Sequence, residues 1–154
     1  MSKFCSPETL RDFRGRLVFT NGCFDLLHAG HVRYLQAARA LGDALLVAVN
    51  SDDSVRALKG PTRPINPAEE RAEMLAALEC VSFVTIFDTP RVTRLVEIIR
   101  PAVYAKGGDY TLETLDPEER AALESVGTEI RLLPLVPGRS TTRIIERMRE
   151  GNAD

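Results

Sequence analysis

Ala44-Leu45-Leu46-Val47-Ala48-Val49 is a run of six apolar residues with no polar break. Its length suits a strand. The absence of alternation means that both faces are covered. A strand covered on both faces belongs to a parallel sheet lying between two layers of helix. Four further apolar runs, at 16–20, 81–87, 102–105 and 129–133, read as strands. Helical stretches separate them. One covers 30–41. One starts at Asn66-Pro67-Ala68-Glu69, with Asn66 as cap and Pro67 in first position, and carries Met74, Leu75 and Leu78 inward. Others cover 91–99, a segment opened by Asp116-Pro117-Glu118-Glu119, and a last segment from Ser140 to Met148. Val55 to Leu58 is expected to make a single helical turn. The fold class expected is α/β: one doubly wound, Rossmann-like, five-stranded parallel sheet with helices on both faces. Residues 1–154 form one domain, with 1–15 as an N-terminal extension and 16–150 as the core.

Composition excludes several classes. The chain has 154 residues, enough to bury roughly 68–70% of its unfolded surface without a disulfide or metal. The net charge of −2 gives no broad field for nucleic acid or an acidic membrane. No apolar run approaches the roughly 18 residues of a membrane span, and no signal peptide is evident. Cys5, Cys23 and Cys80 are scattered and build no disulfide framework. They fit a reducing cytosol, so a cytoplasmic protein is expected.

The polar residues with chemistry gather after strands. Thr20-Asn21-Gly22-Cys23-Phe24-Asp25-Leu26-Leu27-His28-Ala29-Gly30-His31 follows the first strand and runs into the first helix. Both histidines of the chain lie in it. A strand, a tight turn and a helix start expose unpaired N–H groups and the positive end of the helix dipole, which suits phosphate. His28 and His31 add two donors, and Gly30 permits close approach. Asn50-Ser51-Asp52-Asp53-Ser54, Lys106-Gly107-Gly108-Asp109-Tyr110 and residues 137–142 follow later strands. In a doubly wound sheet all of these meet at one edge, where ligands bind.

Each candidate has a plain structural alternative. Lys59 and Arg63 are either surface charges or a phosphate clamp held by Gly60 and two prolines. Asp25 and Asp109 are either turn residues or partners of a metal or hydroxyl. Ser140-Thr141-Thr142 is a helix cap whose N–H groups also suit an anion. Cys23, His28 and His31 are possible zinc ligands, but a closed zinc site wants four, and no second Cys/His pair exists. The dinucleotide and P-loop glycine patterns are absent.

Asn21-Gly22-Cys23-Phe24-Asp25-Leu26-Leu27-His28-Ala29-Gly30-His31 resembles the signature of the cytidylyltransferase-like nucleotidyltransferases. Ser140-Thr141-Thr142 resembles their second signature, and the likeness covers about residues 16–150. Within that superfamily the chain is most similar to the D-glycero-β-D-manno-heptose 1-phosphate adenylyltransferases, the ADP-heptose synthase domains. That closer likeness rests on Asn50-Ser51-Asp52-Asp53-Ser54-Val55, Leu58-Lys59-Gly60, Arg63-Pro64-Ile65 and Lys106-Gly107-Gly108-Asp109-Tyr110. Relatives that make CDP-glycerol often carry an arginine a few residues before the Ser-Thr-Thr. The corresponding stretch here is Leu133-Pro134-Leu135-Val136, which counts against that branch. Many members are fused to a sugar kinase; this chain is too short for one, so a stand-alone form is expected.

The resemblance implies transfer of AMP from ATP to the heptose 1-phosphate, for lipopolysaccharide or cell-surface heptose synthesis. It implies His28, His31 and Lys59 as catalytic, working on the triphosphate. It implies Asn21, Gly22, Cys23, Phe24, Gly30, Ser140, Thr141 and Thr142 around the nucleotide. Asp25, Asp52, Arg63, Gly108 and Asp109 fall to the acceptor, and Mg²⁺ enters through the ATP phosphates. The partners implied are ATP and a sugar 1-phosphate, with a homodimer left open. The alternatives are a glycerol 3-phosphate or other alcohol-phosphate cytidylyltransferase, and a nucleotide-binding module without turnover.

Overall fold

The computed structural model describes residues 2–108, 110–134 and 141–152. Five strands run β1 (Leu17–Gly22), β2 (Ala44–Asn50), β3 (Phe83–Phe87), β4 (Val103–Gly107) and β5 (Glu129–Leu133). The helices are α1 (Ala29–Arg39), α2 (Asp52–Lys59), α3 (Ala68–Ala76), α4 (Thr93–Ile99), α5 (Pro117–Ser125) and α6 (Thr141–Asn152). All strand pairs are parallel, in the order β3-β2-β1-β4-β5. The chain winds outward from β1 to β3, then crosses back to β4 and β5. The reversal falls between β1 and β4, where a doubly wound sheet opens its crevice.

The central strands sort their side chains to two cores, as a period of two requires. Val18, Leu45, Val47, Val49, Val103 and Ala105 face α1 and α3, against Leu35, Ala38, Ala72 and Leu75. Phe19, Leu46, Ala48 and Tyr104 face α4 and α5, against Leu95, Val96, Ile99, Ala122 and Leu123. Every residue of β2 is buried, as its unbroken apolar run requires. Three crossings carry the expected boundaries to within a residue or two. The capping by Asp116 holds, its side chain accepting from Glu119 N at 3.0 Å.

Several expectations are corrected. Asn21 and Gly22 are the last residues of β1, not loop. Asp52 to Lys59 is a full helix of eight residues rather than one turn, because Ser51 accepts from Ser54 N and caps it. Pro67, not Asn66, precedes the first residue of α3. Met74 is exposed, and Arg71 occupies the inner stripe in its place, fully buried beside Ala72 and Leu75. The N-terminal extension joins the fold: Phe4 bridges to Val84 on the β3 edge, a 3-10 turn spans Pro7–Leu10, and Leu10 enters the core. Among the described residues no helix is long and apolar enough to cross a membrane. Cys5, Cys23 and Cys80 are all unbridged.

Candidate active site

The crevice between β1 and β4 is laced by two tyrosines. Tyr104 Oη donates to Asn21 Oδ1 at 2.6 Å. Tyr34 Oη, from α1, lies 2.7 Å from Thr20 Oγ1 and donates to Ala105 O at 2.9 Å. Tyr34 is pushed up to about 12 by burial, so it stays a neutral donor. Its ring covers Gly107, where a Cβ would lie 3.0 Å from Tyr34 Cε2. Thus side-chain hydrogen bonds tie the C-terminal ends of β1 and β4 to one another. Neither tyrosine is singled out by the sequence.

The turn after β1 is tight. Phe24 takes a φ of 48°, and its ring folds back over Gly22. Asp25 then carries the chain toward His28, the residue before the first turn of α1. His28 and His31 are stacked, with ring centroids 3.8 Å apart and planes 26° apart. His28 N lies 3.4 Å from His31 Nδ1, and Phe24 meets His31 edge-on at 5.2 Å. Gly30 is buried in the same turn. Burial and the neighbouring His28 lower His31 to about 4, against a hydrogen bond with the Leu26 backbone. His31 is therefore neutral at pH 7: a hydrogen-bonding imidazole at a helix N-terminus, where anions are stabilised.

Three cations surround the turn. Burial pushes the Cys23 thiol up, while Lys59, Arg71 and Arg63 pull it down in that order. Cys23 Sγ sits 3.9 Å from Asn50 Oδ1. Arg71 was missed in the sequence. It donates from Nη1 to Cys23 O at 2.7 Å, from Nε to Asn66 O at 2.9 Å, and from Nη2 to Asp52 Oδ1 at 2.8 Å. The signal was there: residues 68, 71, 72 and 75 share one helical face, so an arginine at 71 lies in the buried stripe. Lys59 ends α2 and is exposed.

Two residues expected at the acceptor, Asp25 and Asp52, are bound within the fold. The Asp25 side chain is fully buried and accepts from Arg63 Nε at 2.7 Å and from the Ile65 and Asn66 amides at 2.9 Å. Burial alone would raise its pKa, but the Asn66 and Ile65 amides and Arg63 together hold it below the usual value. Asp52 Oδ1 caps α3 through Ala68 N at 2.9 Å besides pairing with Arg71, so it ties α2 to α3. Arg63 is thereby turned toward Asp25. Gly108 lies beyond β4 with a φ of 124°, its N–H donating to Leu133 O. Asp109 and Ser140 lie outside the described residues. Thr141 opens α6, and Thr142 is exposed in its first turn. No three His, Cys, Asp or Glu side chains converge as a metal site among the described residues.

A family model described as cytidylyltransferase-like matches residues 19–147. The Bifunctional protein HldE of Syntrophotalea carbinolica is 51% identical over 96% of this chain, which spans 31% of that protein. The Bifunctional protein HldE of Geotalea uraniireducens is 56% identical over 89% of this chain, spanning 28% of that protein. The chain therefore covers about a third of the length of these curated relatives. Among solved structures, a lipopolysaccharide core biosynthesis protein from Thermoplasma volcanium shares the fold with a TM-score of 0.65. It is 24% identical, over 80% of this chain and 98% of that one. The match to the family model spans most of the chain and includes the turn, the histidine pair and both edges of the crevice, so the protein belongs to the cytidylyltransferase-like family.

Proposed function

We propose that this domain transfers AMP from ATP to D-glycero-β-D-manno-heptose 1-phosphate, giving ADP-heptose and pyrophosphate. The observation that carries this reading is the stacked His28–His31 pair at the N-terminus of α1, beside the β1–β4 crevice. The likeness of 51–56% to proteins named HldE supports the choice within the family.

An oxygen of the sugar phosphate attacks the α-phosphorus of ATP. A P–O bond forms there, and the bond to the β-phosphate breaks, with its electron pair leaving on pyrophosphate. The nucleophile is already ionised at neutral pH, so no general base is needed. The barrier is the approach of two anions, and catalysis consists of positioning and charge neutralisation. His28 and His31 hydrogen-bond the triphosphate, with the α1 N–H groups behind them. Lys59 supplies positive charge. Asn21, Gly22, Cys23 and Phe24 shape the nucleotide side, with Gly30 allowing close approach. Thr141 and Thr142 bring the N-terminus of α6 to a phosphate, and Ser140 is assigned to the same phosphate. Gly108 and Asp109 serve the sugar or ribose hydroxyls.

The described residues offer no carboxylate cage for a metal, since Asp25 is sealed and Asp52 is tied to Arg71. Mg²⁺ would enter this reading as the companion of ATP and would supply positive charge at its phosphates. Activity is expected to vanish with chelator and to return with Mg²⁺.

The test is pyrophosphate release by purified protein given ATP or CTP, with heptose 1-phosphate, glycerol 3-phosphate or a pantetheine phosphate. ATP with heptose 1-phosphate is expected to give the signal. Turnover with CTP and glycerol 3-phosphate alone would place the protein in the cytidylyl branch. ATP binding without pyrophosphate release from any acceptor would make it a binding module.

A further inference from the structure

Lys59 and Arg63 are the cations that sequence reasoning offers to phosphate, and Arg63 is the one the fold has paired with a carboxylate. Its Nε is 2.7 Å from Asp25 Oδ2, and its side chain is only 12% exposed. The same carboxylate accepts from Ile65 N and Asn66 N, each at 2.9 Å. Asn66 closes the loop by donating from Nδ2 to the Asp25 carbonyl at 2.8 Å. One buried aspartate therefore gathers four donors, counting that to its own backbone, from residues 63–66. The segment is a strap pinned across the turn that carries Phe24 and leads to His28. A surface phosphate clamp needs none of this. A buried carboxylate does, because an unpaired one would be costly.

Arg71 anchors the far end of the same strap. Its Nε donates to Asn66 O while its Nη1 holds Cys23 O. The strap is thus tied to the turn at both of its faces, and Lys59 enters it only four residues before Arg63. Where the strap lies fixes both the turn under the histidines and the loop that begins at Lys59.

We propose that Asp25 and Arg63 form a single positioning unit, which holds strap 63–66 on the phosphate-binding turn, and that Arg63 acts through Asp25 rather than on substrate phosphate. The kinetic arm of this proposal rests on the transferase reading above; its structural arm does not.

The experiment compares Asp25→Asn, Arg63→Gln and the double variant in the full chain. Folding is checked first by circular dichroism. Hydrogen exchange is then read at the Ile65 and Asn66 amides. Both single variants are expected to speed exchange there by about tenfold or more, because the amides lose a fixed acceptor or its orienting partner. In turnover, kcat should fall about tenfold or more in each single variant. The double should be no worse than the poorer single within about threefold, as for residues acting as one unit. A merely structural pair would lower the unfolding midpoint and leave kcat of the folded protein unchanged. If Arg63→Gln leaves the two amides protected, raises KM for ATP and multiplies with Asp25→Asn, then Arg63 is a phosphate contact and the proposal fails. Should Asp25→Asn not fold, Arg63→Gln decides alone: protected amides overturn the unit, exposed amides support it. If no variant or wild type turns over, the exchange result still tests the strap, and only the transferase reading is lost.

Discussion

Arg71 Nη1 donates to the carbonyl oxygen of Cys23 at 2.7 Å, from a side chain with no exposed surface. An arginine on α3 thus holds a backbone oxygen in the turn after β1. The other guanidinium nitrogens reach Asn66 O and Asp52 Oδ1. All three groups lie on different segments, so Arg71 fixes the relative places of the turn, the 63–66 strap and the α2 start.

Arg71→Met keeps the length and removes every donor. Two carbonyls and one carboxylate oxygen then lose a partner. Breaking a buried pair by removing one side costs about 3–5 kcal/mol, but Asp52 is 37% exposed and water can replace part of the loss. A destabilisation of about 2–4 kcal/mol is expected, read from urea midpoints. Activity should fall further than the folded fraction does, because the Cys23 turn relaxes. A variant of near wild-type stability would mean that the three hydrogen bonds are dispensable.

Gly22→Ala tests how closely the turn is built. A Cβ at Gly22 would lie 2.8 Å from Phe24 Cε2. Phe24 is 6% exposed and edges against His31, so its ring has little room to yield. The expected cost is about 1–3 kcal/mol, the scale of core overpacking. His31 should move with the ring, and kcat should drop. A crystal structure of the variant with Phe24 and His31 unshifted would remove the basis for this expectation.

The histidines themselves should matter for rate rather than fold. His31→Ala removes a donor at the helix start and the contact with His28 N. The structural loss is about that of a helix cap, near 1 kcal/mol. The catalytic loss should be about 10²-fold in kcat, the scale of one transition-state donor. His28→Ala should behave similarly. Normal pyrophosphate release by either variant would remove the pair from the chemistry.

How much of this could be read in the sequence divides along a physical line. The unbroken apolar run of β2 declares a doubly covered strand, and β5 is legible to the residue. The His-Ala-Gly-His stretch marks the phosphate end, since both histidines of the chain are there. The errors lie where long-range partners decide. Asp52 and Asp53 look like a polar turn because the cap at Ser51 and the tie to Arg71 need the tertiary fold. The partners of Asp25 are hidden in the sequence because its three nitrogen donors come from residues 63, 65 and 66, about forty positions on. Arg71 looks like surface charge unless the helical face is counted, since charged side chains rarely lie fully buried.

A pH dependence follows from His31. Its folded value is about 4, against an ordinary 6.5, from burial first and His28 second. Between those values the unfolded chain binds the proton and the folded chain does not. Stability must therefore fall as pH drops through that window. Going from pH 7.5 to 5 should cost about 2 kcal/mol. Asp25 does not confuse the measurement, because its ordinary value is 3.8 and its folded value lies lower still. His31→Gln should flatten the slope between the two pH values, as read from urea midpoints. In His28→Gln the His31 resonance should titrate higher, since one of its two depressing causes is gone. An unchanged slope in His31→Gln would assign the dependence elsewhere.

Lys59 carries the final expectation. Arg71 pairs with Asp52, and Arg63 pairs with Asp25. His31 is neutral at pH 7. Lys59 is exposed at the end of α2 and has no ion pair among the described residues. Of the three cations around the Cys23 turn it is the one whose charge is not already matched by a carboxylate. A reaction between two anions needs such a charge near the phosphates. Lys59→Ala should lower kcat/KM about 10²-fold and should do so with every acceptor, because the triphosphate is common to all. It should also weaken the dependence of KM for ATP on ionic strength, since salt screens an exposed charge. Lys59→Arg should recover part of the rate by restoring the charge. A loss confined to heptose 1-phosphate would move Lys59 from the nucleotide to the acceptor, and full activity in Lys59→Ala would leave the α1 N-terminus and the histidines to neutralise the phosphates alone.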